Sequence, residues 1–238
     1  MLAWLLKRNK YGKRRIVKET VDEYLLKNYG VKDAVCTKEK VLDGFAPLLQ
    51  NDYGVDNCCS IASITSAIYH TGALSGSGKK GRPDSVAKNE NAEGPRANTV
   101  AAPLAKDVFD KVYKNAKLFF FGKRGTNPFL IKPIFDRTLR QSGQRGRTGV
   151  AFVKGVGVRF APITKLIDRG VPLVFSLLRD GNGFYGDHTM LIIGYAVYET
   201  GGEKHRFLLL HDNWAKTVSY LDYDRLPPIC SVNWRDVR

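Results

Sequence analysis

Acidic residues are scarce beside basic ones in this 238-residue chain: 23 Asp and Glu stand against 38 Lys and Arg, a formal net charge of +15. That imbalance predicts attraction to something acidic, whether nucleic acid, an anionic surface or an acidic protein, and says nothing about fold. Cysteines are few, 4 in all, and unevenly placed, so no disulfide framework is expected; a chain of this length buries a core without one. Cys58 and Cys59 are adjacent and do not pair with each other, whereas pairing among Cys36, Cys230 and Cys58 is left open. Free thiols in a reducing, cytoplasmic compartment are the simplest expectation. Cys-x-x-Cys is absent, and neighbouring cysteines do not easily share one tetrahedral ion, so no metal and no cofactor are expected. Long apolar runs are missing too: none reaches the roughly 20 residues of a membrane helix. The short apolar start, Met1–Leu6, precedes a basic run, the reverse of a secretory signal, and reads as the front of a docking segment.

What remains is ordinary for a globular protein, with 43% hydrophobic and 26% charged residues. Residues 7–18 carry seven basic side chains and no acid, a block that reads as a solvated arm or an anion-binding patch. A helix is predicted from Ile16 to Tyr29 and ends at Gly30. Ile61, Ile64, Thr65 and Ile68 form one stripe at helical spacing, which predicts a helix over 58–70, capped by Asp56 or Asn57 and closed by Gly72. Residues 74–98, rich in Gly, Ser, Lys, Asn and Pro, read as a long polar loop; its Gly76–Lys80 stretch lacks the spacing and preceding strand of a phosphate loop. Further on, a helix over Val100–Ala116 and a short strand over Lys117–Phe121 are predicted. A helix over Phe160–Arg169 leads into a strand at Pro172–Leu178. Strands Thr189–Tyr198 and Arg206–Asp212 flank a hairpin turn at Gly201-Gly202, and Val218–Asp224 is a last strand. Helices first and an antiparallel sheet second is an α+β pattern. The expected division is a basic N-terminal helical extension, 1–45, and a domain spanning 46–238.

Three segments carry chemistry. They are Gln50–Ser60, Asp187-His188-Thr189, and His211-Asp212-Asn213-Trp214. A nucleophilic thiol needs a base, the base needs an orienting acceptor, and the oxyanion needs donors. Cys58 and Cys59 fall in the first turn of the predicted helix, where unpaired amide hydrogens favour a thiolate. Among the 4 histidines, His188 opens an apolar strand after a Gly-rich bend. His70 lies a helix length from the cysteines, His205 falls in a polar turn, and His211 points away from Asp212 because strand side chains alternate. Pairing across Gly201-Gly202 brings His188 and Asp212 to the same end of the hairpin, where Asp212 fixes the imidazole tautomer. Gln50 is the side-chain candidate for an oxyanion donor, beside the main-chain amide of the nucleophile. Trp214 is a lid over the His–Asp pair or a packing anchor.

In that order, Gln, Cys at a helix start, His opening a strand and Asp-x-Trp closing the next one, the chain resembles the papain-like cysteine peptidases. Within them it is most similar to the peptidases that remove double-glycine leaders from bacteriocins, and to their wider relatives. Pro162–Asp168, Gly170–Val174 and His188–Tyr195 match that group's helix, its Gly-x-Pro-hydrophobic strand and its His-hydrophobic-Gly-Tyr strand. The resemblance covers residues 48–72 and 160–224. It implies a papain-like fold in which a helical part carrying the cysteine packs on a C-terminal antiparallel sheet carrying His188 and Asp212. It also implies a peptide or isopeptide hydrolase with Cys59, His188, Asp212 and Gln50 as site residues. Cys59, followed by Ser60 and by Ala62 at the third place, fits the family pattern better than Cys58. The longer interval from Gln50 weakens its match, and Asn213 and Asp187 are alternatives to Asp212.

Two other functions share these residues. Acyl transfer to an amine, transglutaminase-like, uses the same fold. A non-enzymatic module is the other, with a vestigial cysteine site and with nucleic acid or another anion held by the basic stretches 7–18, 79–82, 137–147 and 204–206. The expected partners are therefore a peptide or protein substrate, with acidic ones favoured by the charge, or an anion.

Overall fold

A computed structural model describes residues 16–17, 19–45, 48–71, 102–119, 126–142, 147–153, 157–177, 188–214, 218–226 and 231–236. The apolar start, almost all of the basic arm, the polar loop at 74–98, the Gly-rich bend, Asp187 and Cys230 lie outside them.

One sheet organises the molecule. Its strands are β1 (Ile16–Val17), β2 (Val35–Val41), β3 (Arg147–Val153), β4 (Gly157–Val158), β5 (Leu173–Leu177), β6 (His188–Thr200), β7 (Glu203–His211), β8 (Val218–Asp222) and β9 (Ser231–Asp236). They lie in the order β1-β8-β7-β6-β5-β9-β3-β4, and β2 adds to β6. Every described pairing is antiparallel except the short β3–β4 pair. β6 is the spine: its first half pairs with β5 and its second half with β2 along the same edge, while β7 runs along the other. Gly201 and Gly202, at φ 52° and 84°, supply the left-handed backbone of the β6–β7 turn.

The helices are α1 (Val21–Tyr29), α2 (Cys59–His70), α3 (Ala102–Leu118), α4 (Ile131–Gln141) and α5 (Phe160–Asp168). α2 lies on the sheet face formed by Val174, Leu191 and Thr189, and buries Ile61, Ile64 and Ile68 completely. α3 packs on α2, with the Tyr53 ring stacked on Phe109 at 3.9 Å. α4 joins α3 through Asn115, whose amide donates to the Thr138 hydroxyl at 2.9 Å. α5 covers the opposite face, where Phe160 and Asp168 both meet Tyr195. A smaller apolar cluster joins Tyr24 and Leu25 of α1 to Ala196, Phe207 and Leu209.

Several boundaries differ from the expectation. α1 starts at Val21, not Ile16, because Thr20 and Glu23 form a reciprocal capping box; Ile16 and Val17 pair with Leu221 and Tyr220 instead. Neither Asp56 nor Asn57 caps α2; the N-cap is Cys58, without a side-chain bond. The strand expected at Lys117–Phe121 is, as far as Leu118, the last turn of α3. α4 is an addition to the expected elements, with Ile131, Ile134, Phe135 and Leu139 as its buried stripe. β2, β3 and β9 are additions too; β1 and β2 come before α2, and β3 and β4 before α5, so the order of helices first and sheet second holds only from β5 to the C-terminal end, where β9 extends the sheet.

Candidate active site

The start of α2 meets the open end of the β6–β7 hairpin. Leu191 pairs with His211, so His188 and Asp212 stand at the same end, as the strand lengths require. His188 Nε2 lies 2.8 Å from the main-chain oxygen of Asp212. A carbonyl only accepts, so Nε2 carries the hydrogen and the lone pair of the neutral ring sits on Nδ1. The carboxylate of Asp212 accepts the Trp214 amide at 2.9 Å, which tightens the turn after β7. The Trp214 ring lies 4.3 Å from the His188 ring, and His188 is 5% exposed.

The two cysteines have different surroundings. Cys58 is fully buried in the core, and its thiol donates to the main-chain oxygen of Gln50 at 3.6 Å. Burial, and then the neighbouring Cys59, push its thiol up to about 11. Cys59 is partly exposed and begins the helix. Burial raises its thiol too, against hydrogen bonds from the Thr189 and Ser60 main chains and the Thr189 hydroxyl. Burial lowers His188, opposed by its bond to the Asp212 main chain and by the Asp212 charge. The helix start therefore does not outweigh desolvation, which raises the thiol and lowers the imidazole.

Asn213 ties the segments together. Its backbone is left-handed, at φ 64°, and its side chain is completely buried. The side-chain amide donates to Ser63 Oγ at 2.8 Å, to Thr189 O at 3.2 Å and to Cys59 O at 3.4 Å. Its main-chain oxygen accepts the Gln50 amide at 2.9 Å. Ser63 Oγ donates in turn to Thr189 O at 3.2 Å, and the Thr189 and Ser176 hydroxyls lie 3.2 Å apart.

Gln50, Cys59, His188 and Asp212 thus belong to one connected assembly. Asn213, the alternative to Asp212 as orienting group, turns its amide to α2 and to Thr189. Nothing in the local pattern points to the roles of Asn213, Ser63 and Thr189, although Asn is among the residues that tolerate a left-handed backbone. Gln50 opens a 3-10 turn, and its side-chain oxygen is buried without a partner among the described residues. His211 is buried and packs on Phe45, as does His70. His205, expected in a polar turn, is instead buried in β7 against Tyr29. Cys36, Cys58 and Cys59 are free thiols, which removes the pairing of Cys36 with Cys58. No described helix is long and apolar enough to cross a membrane.

A C39-type peptidase frame accounts for this arrangement, and the family comparison agrees. Residues 42–231 match the model of the Peptidase_C39 like family. The chain belongs to that family, and its α+β architecture is that of the papain-like cysteine peptidases. It matches no curated protein and no solved structure.

Proposed function

We propose that the protein is a papain-like thiol hydrolase that cleaves a peptide or isopeptide bond through an acyl-thioester. The observation that carries this reading is the placing of the partly exposed Cys59, at the start of α2, against Thr189, the residue next to His188, whose tautomer the Asp212 main chain fixes. The Cys59 sulfur attacks the carbonyl carbon while its proton passes to Nδ1 of His188. The tetrahedral oxyanion is held by the Cys59 amide and the Gln50 side chain. Its collapse breaks the C–N bond, and the imidazolium protonates the leaving amine. Water then attacks the thioester with His188 as base, releasing a carboxylic acid and the thiol. Asp212 orients His188 and stabilises its protonated form.

In the same reading residues 1–45 form an extension to the domain 46–238. Within it β1, α1 and β2 brace the hairpin far from the site; Tyr24 and Tyr29 of α1 both donate to Asp222, at 3.0 and 2.5 Å. The net charge of +15 favours acidic substrates.

Incubation with a proteome-derived peptide library, read by mass spectrometry of new N-termini, tests the reading. Wild type produces a defined set of termini, and Cys59→Ala and His188→Ala produce none. Identical termini from wild type and Cys59→Ala, or none from either, contradict it.

A further inference from the structure

We infer that Asn213 is a positioning residue for the thiol–imidazole pair, a role that rests on the function proposed above and adds to it a device for holding the nucleophile against its base. Cys59 and His188 stand on different elements, α2 and β6, so nothing local fixes their relative placement. Displacements on the scale of an ångström cost about a hundredfold in rate in such pairs. Asn213 spans the gap. One buried amide group reaches the carbonyl of the cysteine itself, Ser63 one turn further along α2, and the carbonyl of the residue after the histidine. Ser63 Oγ closes a triangle by donating to the same Thr189 oxygen.

The orientation of the amide is not ambiguous. Cys59 O and Thr189 O are both main-chain acceptors, so only the NH2 end can face them. The peptide groups on either side of Asn213 are held as well. Its own carbonyl accepts the Gln50 amide, and the preceding carbonyl, that of Asp212, accepts His188 Nε2. Asn213 therefore joins, within one residue of chain, the cysteine, the histidine, its orienting carbonyl and the proposed oxyanion donor. The left-handed φ of 64° is what lets the side chain point back to α2 while the main chain serves Gln50; Asn and Asp are the side chains that tolerate this backbone best.

Asn213→Asp is the informative substitution. It keeps shape and backbone preference but replaces the donor with an acceptor facing two carbonyl oxygens. The readout is alkylation of Cys59 by iodoacetamide, localised by mass spectrometry, in four proteins: wild type, His188→Ala, Asn213→Asp and the double variant. Circular dichroism and thermal melting report the fold. Positioning predicts that His188→Ala changes the Cys59 rate about tenfold or more in the wild-type background and by less than about twofold in the Asn213→Asp background, in proteins that still melt cooperatively. An equal effect of His188→Ala in both backgrounds overturns the inference and leaves the proposed function standing. No effect in either background overturns the proposed function itself, and this inference with it. If Asn213→Asp does not fold, Asn213→Gly, which keeps the left-handed backbone and removes the amide, is read in the same way. Failure of both to fold assigns Asn213 to the fold alone and overturns the positioning role.

Discussion

His188 Nε2 meets the main-chain oxygen of Asp212 at 2.8 Å, so the group that orients the imidazole is a peptide carbonyl that no side-chain substitution at 212 removes. The carboxylate has separate work: it accepts the Trp214 amide and lends its charge to His188. Asp212→Asn keeps an acceptor for Trp214 and loses the charge, so kcat/KM on a cleaved peptide falls by about tenfold. Asp212→Ala also releases the turn and falls by about a hundredfold. Steady-state kinetics of both variants check the order; a loss of about ten-thousandfold in Asp212→Asn would mean that the carboxylate itself fixes the tautomer.

The pH dependence follows from burial. His188 and His70 are both lowered from the ordinary value of 6.5, with burial the largest cause. A base with a depressed pKa stays neutral and competent further into acid, so the acid limb of kcat/KM lies below pH 6.5. Stability moves in the same direction. Below 6.5 the unfolded chain takes up protons that the folded chain refuses, so the stability present above that pH is lost as pH falls toward the depressed values. Urea midpoints between pH 7.5 and 5 check this, and the decline is shallower in His70→Gln.

Cys58 and Cys59 part company in behaviour. Cys58 is core, with its thiol bonded to the Gln50 carbonyl. Cys58→Ala therefore costs about 1 kcal/mol of stability and leaves a thiol at 59 that still supports cleavage, whereas Cys59→Ala abolishes turnover without destabilising the fold. Denaturation and activity of the two variants separate these effects.

Gly194 lies where β2 crosses β6. A Cβ there would run into Lys40 O of the paired strand and come within 3.2 Å of Leu209 Cβ. The obstacle is backbone, so β2 must shift. Gly194→Ala is expected to lower stability by about 1–3 kcal/mol, measured by chemical denaturation, with alkylation of Cys59 unchanged because Gly194 is mid-strand and the site is at the first residue of β6, His188.

The chain was legible where one pattern had one cause. The stripe Ile61–Ile64–Ile68 pointed to α2, and Gly201-Gly202 between two apolar runs pointed to the hairpin that carries His188 and Asp212. β2 was illegible because no face of it is buried; its residues are almost all exposed, so Val35–Val41 shows no alternation to read. α4 was legible in principle and was obscured by Pro133, which sits in its first turn, where proline is tolerated. In α3 the aromatic run beginning at Phe119 hid the continuation of the helix through Leu118. The role of Asn213 was illegible for a different reason: its partners Cys59, Ser63 and Thr189 are distant in sequence, and only the folded hairpin brings them to one amide.

The most direct test of the nucleophile is a pre-steady-state burst with p-nitrophenyl acetate, which needs no knowledge of the natural substrate. A burst of p-nitrophenolate equal to the protein concentration is predicted. The acetyl group should be found on the peptide containing Cys59, with the burst lost in Cys59→Ala, slowed in His188→Ala and kept in Cys58→Ala. A burst that survives in Cys59→Ala, or an acetyl group found on Cys58, would contradict the account.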